Sequence, residues 1–330
     1  MLLPTYPVVR RRLAACFMLA IAMATCTTFV AAYPTKPVRI IVPSAPGGGY
    51  DFIGRLFADR LSRELGQAFV VENRTGAGTL VGTQAAIQSP ADGYTLLVGG
   101  LANLAFNPGL YKDPGYDPVT DLVPIALIGS ASYALVARRG LPQSTLRDIV
   151  QFARGNPGKL SIATAGTGTG QHVAAALLKH LTVTDMLEIP YRGAQPAFTD
   201  VLAGRVDLMF DNTTTVRPMI EDGRVKVIAT TGASRDALLP GIPTCREAGV
   251  EGLVLEGWVG IFAPAKAPRL IVEQLRAAVA KVKQDPEVRA RMESIGWRIM
   301  SLSAMESDAF VKSEAQRWLQ FIRQSGIRGE

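Results

Sequence analysis

The feature that most constrains the fold of this chain is its alternation of short β-branched runs with longer helical patterns. Nine runs predict strands because each is short, apolar and bounded by Gly, Pro, Asn or Asp. They are Val38–Val42, Ala68–Val71, Tyr94–Val98, Tyr133–Ala137, Leu160–Thr164, Met186–Ile189, Val206–Phe210, Val225–Thr230 and Trp258–Phe262. After the first run, apolar residues between Phe52 and Leu65 fall on one helical face, which Asp51 can cap and Gly66 can end. This order predicts an α/β architecture with buried, mainly parallel sheets.

The C-terminal stretch has helical patterns but hardly any strand signal. These patterns cover Leu270–Val282, Pro286–Ile295 and Met305–Ile322. Helices without strands of their own must pack on a sheet formed elsewhere in the chain. We therefore expect the chain to leave a first domain near Ser132, to build a second domain and to return near Trp258. The predicted boundaries are 33–131 with 253–330 for domain 1, and 132–252 for domain 2.

The first 32 residues have the features of a secretory signal. Arg10–Arg12 precede an apolar run over Leu13–Val30, and Val30, Ala31 and Ala32 supply the small residues behind which a signal peptidase cuts. A single membrane-anchoring helix is the alternative, and the arginines also fit twin-arginine export. Removing residues 1–32 leaves 298 residues and lowers the formal net charge from +7 to +4. Since no other apolar run is long enough to cross a membrane, we expect a soluble, exported protein.

Composition argues against several classes of protein. The chain is 48% apolar and 19% charged, which is typical of a globular protein and not of a disordered or coiled-coil one. Three cysteines and two histidines argue against a disulfide framework, a structural metal site or a redox core. The modest positive charge is scattered, which argues against nucleic acid as a partner. Neither Gly-x-Ser-x-Gly nor His-Glu-x-x-His occurs, so the inventory of catalytic groups is thin.

Two glycine-rich loops each follow a predicted strand and precede a predicted helix. Glycines permit tight turns, and the N-terminus of the next helix offers unpaired N–H groups with partial positive charge, so each loop is a candidate anion site. The other interpretation is a tight βα connection, because neither loop has the glycine spacing of a nucleotide fingerprint. The candidate ligand-binding residues in these loops are Ser44, Ala45, Gly47, Gly48, Gly49, Tyr50 and Asp51 in the first, and Gly166, Thr167, Gly168, Thr169 and His172 in the second.

Three more polar residues lie beyond the ends of predicted strands, where open α/β sheets place their ligands. Thr79 and Asn103 are candidate ligand contacts, although Thr79 can also serve a cap or turn. Asp211 can pair the ammonium or hydroxyl group of a ligand, and it can equally cap a helix that starts at Thr213.

Motifs along almost the whole chain after residue 32 resemble the Bug family of extracytoplasmic solute receptors for tripartite tricarboxylate transporters. The motifs are Pro46–Asp51, Asn73–Gly78, Asp92–Leu97, Asn107–Pro108, Pro190–Gly193, Gly204–Asn212, Pro240–Thr244 and Glu247–Gly249. The resemblance implies a two-domain, type II-like periplasmic binding protein with two helix-flanked sheets and a ligand cleft between the domains. It implies no catalysis and no cofactor.

The resemblance also implies a ligand and partners. A cleft of this kind closes on a small organic carboxylate, with the two glycine-rich loops as the two sides of a pincer. The carboxylate can be a di- or tricarboxylate, an acidic amino acid or an aromatic acid, because Ser44, Tyr50 and Thr79 depart from the usual pattern. The expected partners of this monomer are the integral membrane subunits of the transporter. Two alternatives stay open: an exported α/β enzyme that uses His172 and Asp211 on an acidic substrate, and a sensor that docks on a histidine kinase.

Overall fold

The computed structural model describes residues 33–329, apart from the side chain of Thr214. The predicted signal segment, residues 1–32, lies outside the described residues. The compact unit that begins at Lys36 contains every strand and helix described below. No helix within residues 33–329 is both long and apolar enough to span a membrane.

Ten strands occur among the described residues. They are β1 (Val38–Val42), β2 (Phe69–Asn73), β3 (Thr95–Gly100), β4 (Leu122–Arg138), β5 (Ser161–Thr164), β6 (Leu187–Pro190), β7 (Leu208–Asn212), β8 (Val225–Thr230), β9 (Glu256–Pro264) and β10 (Arg298–Ile299). The nine predicted runs all fall on strands. The two-residue strand β10 was not predicted, because so short a run has no period to detect.

Ten α-helices occur in the same part of the chain. They are α1 (Gly49–Leu65), α2 (Leu80–Ile87), α3 (Asn107–Leu110), α4 (Leu146–Gly155), α5 (Gly170–Thr182), α6 (Ala194–Leu202), α7 (Thr213–Glu221), α8 (Arg269–Gln284), α9 (Pro286–Ser294) and α10 (Ala304–Ser325). Local sequence explains several ends. Gly66 ends α1 in the left-handed conformation, and the Ser303–Glu306 capping box starts α10.

The strands form one hydrogen-bonded sheet in the order β2-β1-β3-β9-β4-β7-β5-β6, with β8 and β10 also paired to β4. Two groups are parallel, β2-β1-β3 and β7-β5-β6. The strands β4 and β9 join these groups through antiparallel pairs. The prediction of mainly parallel pairing therefore holds within each group and fails at the strands that connect them.

Strand β4 belongs to both halves of the sheet. Its first part, Leu122–Ser132, pairs with β9, and its second part, from Tyr133 onward, pairs with β7 and β8. The sequence predicted a strand only over the second part, because the first part contains Pro124 and an irregular pattern. The partners of β4 therefore change between Ser132 and Tyr133.

Buried apolar side chains fill both faces of this sheet. One large cluster joins the β3–β9 region to helices α3, α5 and α10, with Phe106, Trp258 and Trp318 as its largest members. A second cluster packs α6 and α7 on the Val136 and Met209 face of β4 and β7. The C-terminal helices therefore cover strands from elsewhere in the chain, as the sequence predicts.

Candidate functional site

The carboxyl ends of the two parallel groups meet where β4 changes partners. Tyr133, the first residue of the second part of β4, pairs with Asn212 at the end of β7. Gly100, the last residue of β3, pairs with Val259 of β9, which in turn pairs with Gly129 of β4. Because open α/β sheets bind ligands beyond the carboxyl ends of their strands, this convergence marks the candidate site.

The first glycine-rich loop presents an uncapped helix N-terminus. Gly48 is the N-cap of α1 and has extended backbone angles, φ −82° and ψ 172°, and no side chain caps this end of the helix. Ala45 and Gly47–Gly49 are exposed. The first N–H groups of a helix have no acceptor within it, so this end retains the donors that an anion needs.

Asp51 fixes the shape of that loop from inside the protein. Its Oδ2 accepts from the Gly47 N–H at 2.9 Å and from Arg55 Nε at 2.9 Å, and its Oδ1 accepts from Asn73 Nδ2. Asn73 Nδ2 also donates to the Ser44 carbonyl. Burial alone would raise the pKa of Asp51, but the hydrogen bonds from Arg55, Gly47 and Asn73 outweigh it and hold this pKa below its usual value. Asp51 is therefore an ionised brace behind the loop.

The second glycine-rich loop satisfies more of its own polar groups. Thr169 caps α5, since its Oγ1 accepts from the His172 N–H and donates to the Gly166 carbonyl. The Gly168 N–H donates to His172 Nδ1 at 3.2 Å. An ideal Cβ on Gly168 would lie 2.9 Å from Leu110 Cδ1, which places this loop beside α3.

The ring of His172 is engaged on both sides. While Nδ1 accepts from Gly168, Nε2 lies 3.0 Å from Glu188 Oε1, and Lys179 Nζ lies 3.5 Å from Glu188 Oε2. Burial raises the pKa of Glu188, but the bonds and charges of His172 and Lys179 outweigh it and lower that pKa overall. His172 thus holds the second loop against β6, and we assign it a positioning role.

Thr79 and Asn103 also have partners within the protein. Asn107 Nδ2 donates to Thr79 Oγ1 and to the Gly78 carbonyl, each at 3.0 Å. Asn103 is fully buried, accepts from the Gly100 N–H at 2.8 Å and donates to Thr83 Oγ1 at 3.0 Å. These side chains fix the turns beyond β2 and β3, so they shape the first-loop side of the site.

Two tyrosines lie between the loops. The hydroxyl of Tyr50 accepts from the Ala102 N–H at 3.2 Å, beyond the end of β3. Tyr133 packs against the start of α5, because a Cβ on Gly170 would lie 2.0 Å from its hydroxyl. Burial raises the pKa of both phenols, and each is further raised by a nearby group, Tyr133 for Tyr50 and Asp211 for Tyr133. Both phenols are therefore neutral hydrogen-bonding groups.

Asp211 lies on the second-loop side and is almost fully buried. Its Oδ1 accepts from Gln171 Nε2 at 3.1 Å and from the Asn212 N–H at 2.8 Å, whereas Oδ2 has no hydrogen-bond partner among the described residues. Burial raises the pKa of this carboxyl to about 6. The side chain does not cap α7, whose N-cap is Asn212 without a side-chain bond.

A cavity of about 610 Å³ opens beside the strands that join the two halves. Its lining includes Ser132 of β4, Glu256 of β9 and Trp297. Trp297 also borders the first loop, since a Cβ on Gly49 would lie 3.1 Å from its ring. Within residues 33–329, no group of His, Cys, Asp and Glu side chains is arranged to hold a metal ion.

Sequence reasoning missed Tyr133 and Gln171. Tyr133 lies in a run of small apolar residues, where its isolated phenol was the one available signal. Gln171 was passed over because its partner, Asp211, lies 40 residues further along the chain.

Residues 53–327 match the model of the TctC family, described as the tripartite tricarboxylate transporter family receptor. The chain belongs to this receptor family. It is therefore a periplasmic solute-binding receptor and not an enzyme, and the resemblance to the Bug family is confirmed.

Individual relatives of the receptor cover almost its whole length. A Pseudomonas sp. (strain P51) protein, the UPF0065 protein in the tcbD-tcbE intergenic region, is 37% identical over 92% of this chain and 91% of its own. The solved periplasmic binding protein BugD is 34% identical, with a TM-score of 0.78 over 90% of this chain and 100% of its own.

Two further solved structures are named with a ligand. Rpa4515 of R. palustris with adipate is 32% identical to the receptor, with a TM-score of 0.80 over 90% of this chain and 99% of its own. MatC of Rhodopseudomonas palustris with bound malate is 30% identical, with a TM-score of 0.78 over 88% of this chain and 100% of its own. These likenesses confirm the predicted fold class.

Proposed function

We propose that this receptor captures a small organic carboxylate at the first glycine-rich loop and delivers it to the integral membrane subunits of a tripartite tricarboxylate transporter. The observation that carries the proposal is the uncapped N-terminus of α1 behind the exposed Gly47–Gly49, in a family whose solved members include complexes with adipate and malate. Export by the segment 1–32 belongs to the same proposal.

The two predicted domains become the two sides of the cleft. Residues 33–131 with 253–330 carry the first loop, and residues 132–252 carry the second loop and Asp211. The strands β4 and β9 are the connections between them, which supports closure by bending near Ser132 and Glu256. Closure would bring Thr167 and its neighbours towards a carboxylate held on α1.

The chemistry at α1 fits an anion better than a cation or a neutral sugar. Arg55, the basic side chain beside the loop, donates to Asp51 and Asn73, and the donors that the loop itself offers are backbone N–H groups. A sub-micromolar receptor needs more than about 8 kcal/mol of binding free energy. A few charge-assisted hydrogen bonds of about 1.5–3 kcal/mol each supply most of it.

A matched pair of variants at Gly48 tests the proposal. The φ of −82° is close to the value fixed by proline, so Gly48→Pro removes the N–H with little change of backbone, whereas Gly48→Ala retains it. An added Cβ meets nothing closer than the Ala45 carbonyl at 3.7 Å. We expect Gly48→Pro to weaken carboxylate binding at least about tenfold, through loss of one charge-assisted bond, and Gly48→Ala to bind like the wild type.

The measurement is isothermal titration of the purified protein with mono-, di- and tricarboxylates, acidic amino acids and aromatic acids. A thermal unfolding screen selects the ligand, because binding to the folded state alone adds about 2.7 kcal/mol of stability at a hundred times the dissociation constant. Failure of every carboxylate would contradict the proposed function. Equal binding by the proline and alanine variants would contradict the assignment of the first loop.

A further inference from the structure

Tyr50 is the first large side chain behind the exposed glycines, and its ring turns inward. The residue lies two positions after Gly48 in the first turn of α1 and is only partly exposed. Its hydroxyl reaches the Ala102 N–H at 3.2 Å, beyond the carboxyl end of β3. The phenol therefore occupies the sheet edge immediately beside the donors of the first loop.

Gly100 makes room for this ring. A Cβ at Gly100 would lie 2.5 Å from the Tyr50 hydroxyl and 2.3 Å from the Trp258 carbonyl oxygen. The backbone of Gly100 is extended, so glycine is required there by the close approach and not by its φ. The recess above β3 is thus filled by the side chain of the loop itself.

A second aromatic side chain packs against the same loop. A Cβ at Gly49 would lie 3.1 Å from the ring of Trp297, which is 8% exposed. The first loop follows β1, and β3 is the strand next to β1 on the side that leads through β9 to β4. Tyr133, whose hydroxyl packs against Gly170 at the start of α5, is close enough to Tyr50 to raise the pKa of its phenol, so Tyr50 lies between the α1 donors and the second loop.

We propose that Tyr50 is a specificity-determining residue that excludes aromatic and other bulky acids and restricts the receptor to slender aliphatic carboxylates. This inference rests on the proposed function and narrows its ligand class. The phenol acts by occupying volume, because the space that a ligand ring would need above Gly100 is already filled. Its hydroxyl accepts from the Ala102 N–H at the far end of that recess, and the ring itself fills the volume.

The test compares aliphatic acids with aromatic ones on the wild type and three variants. The probes are succinate, malate and adipate against benzoate, phenylacetate and 4-hydroxyphenylacetate, measured by isothermal titration. Tyr50→Ala empties the recess, Tyr50→Leu fills part of it, and Tyr50→Phe is the matched control that retains the ring. Thermal unfolding without ligand establishes that each variant is folded, and Tyr50→Leu serves if the alanine variant is not.

We expect the wild type and Tyr50→Phe to bind an aliphatic acid and to reject all three aromatic acids. Tyr50→Ala should improve the affinity for phenylacetate or 4-hydroxyphenylacetate at least about tenfold, which is the scale on which pockets discriminate by steric fit. The inference would be overturned if the wild type bound an aromatic acid with an affinity within tenfold of its affinity for the best aliphatic acid. It would also be overturned if the Tyr50→Ala and Tyr50→Leu proteins folded but showed no gain in affinity for an aromatic acid. Rejection of every acid by all four proteins would instead contradict the proposed function, and the inference would fall with it.

Discussion

Replacing Asp211 by asparagine should change how the stability of the unliganded receptor depends on pH. Asp211 is 1% exposed, and burial raises its pKa from 3.8 to about 6. No cationic side chain contributes to this shift; the Gln171 amide and the Asn212 N–H oppose it without abolishing it. The folded state therefore holds the proton of Asp211 more tightly than the unfolded state does.

The magnitude follows from linkage between proton binding and folding. Between about pH 4 and pH 6 the folded state binds more protons at this site than the unfolded state, so the free energy of unfolding falls as pH rises. A shift of about two units, at 1.36 kcal/mol per unit, amounts to about 3 kcal/mol. This penalty is absent below the unfolded pKa and is complete above the folded pKa.

The amide introduced by Asp211→Asn cannot ionise, so the variant avoids the penalty while it retains an oxygen that can accept from Gln171 and Asn212. Its buried NH₂ group brings a cost of its own, but that cost is the same at every pH. At pH 4 a small part of the penalty is already present, so on going from pH 4 to pH 8 the variant should gain about 2.5 kcal/mol of stability relative to the wild type. Urea unfolding of both proteins without ligand, at the two pH values, measures this difference. A relative stability that is the same at pH 4 and pH 8 would refute the assignment of a raised pKa to Asp211.

Two other substitutions test the loops. Asp51→Asn should lower the free energy of unfolding at pH 7, because a carboxyl with a lowered pKa stabilises the fold above its unfolded pKa and loses that contribution as pH falls. In urea unfolding, the variant should therefore differ less from the wild type at pH 3 than at pH 7. A larger difference at pH 3 would contradict the brace role of Asp51. Thr169→Ala removes the α5 cap and should lower the free energy of unfolding by about 1 kcal/mol in the same assay. Thr167→Ala is the control, because Thr167 lies outside the cap. Equal urea midpoints for the two variants would count against the cap.

Much of the fold could be predicted from short-range pattern. Strand β1 and the glycine that ends α1 follow from β-branched residues and from the left-handed preference of Gly66. The full length of β4 could not be predicted in this way. Its two parts have different partners, β9 and then β7 with β8, so the strand is defined by pairing between distant segments and not by its own periodicity.

The candidate site divides in the same manner. The exposed Gly47–Gly49 could be predicted because strand, glycines and helix are contiguous in sequence. The capping role given to Asp51 was not, because this side chain reaches back to Gly47 and across to Asn73 and does not cap α1. Tyr133 lies between the loops because β4 runs from one half of the sheet into the other, and local sequence does not encode that path.

The most direct test of the receptor account is the amide spectrum of the first loop. Isotope-labelled protein is titrated with the carboxylate that the thermal screen selects, and the ¹H–¹⁵N resonances of Gly48, Gly49 and Tyr50 are followed by NMR. Because these N–H groups are the proposed donors, their signals should move downfield and saturate with the dissociation constant found by calorimetry. Saturable binding that leaves all three amide signals unchanged would contradict capture of the carboxylate at this loop.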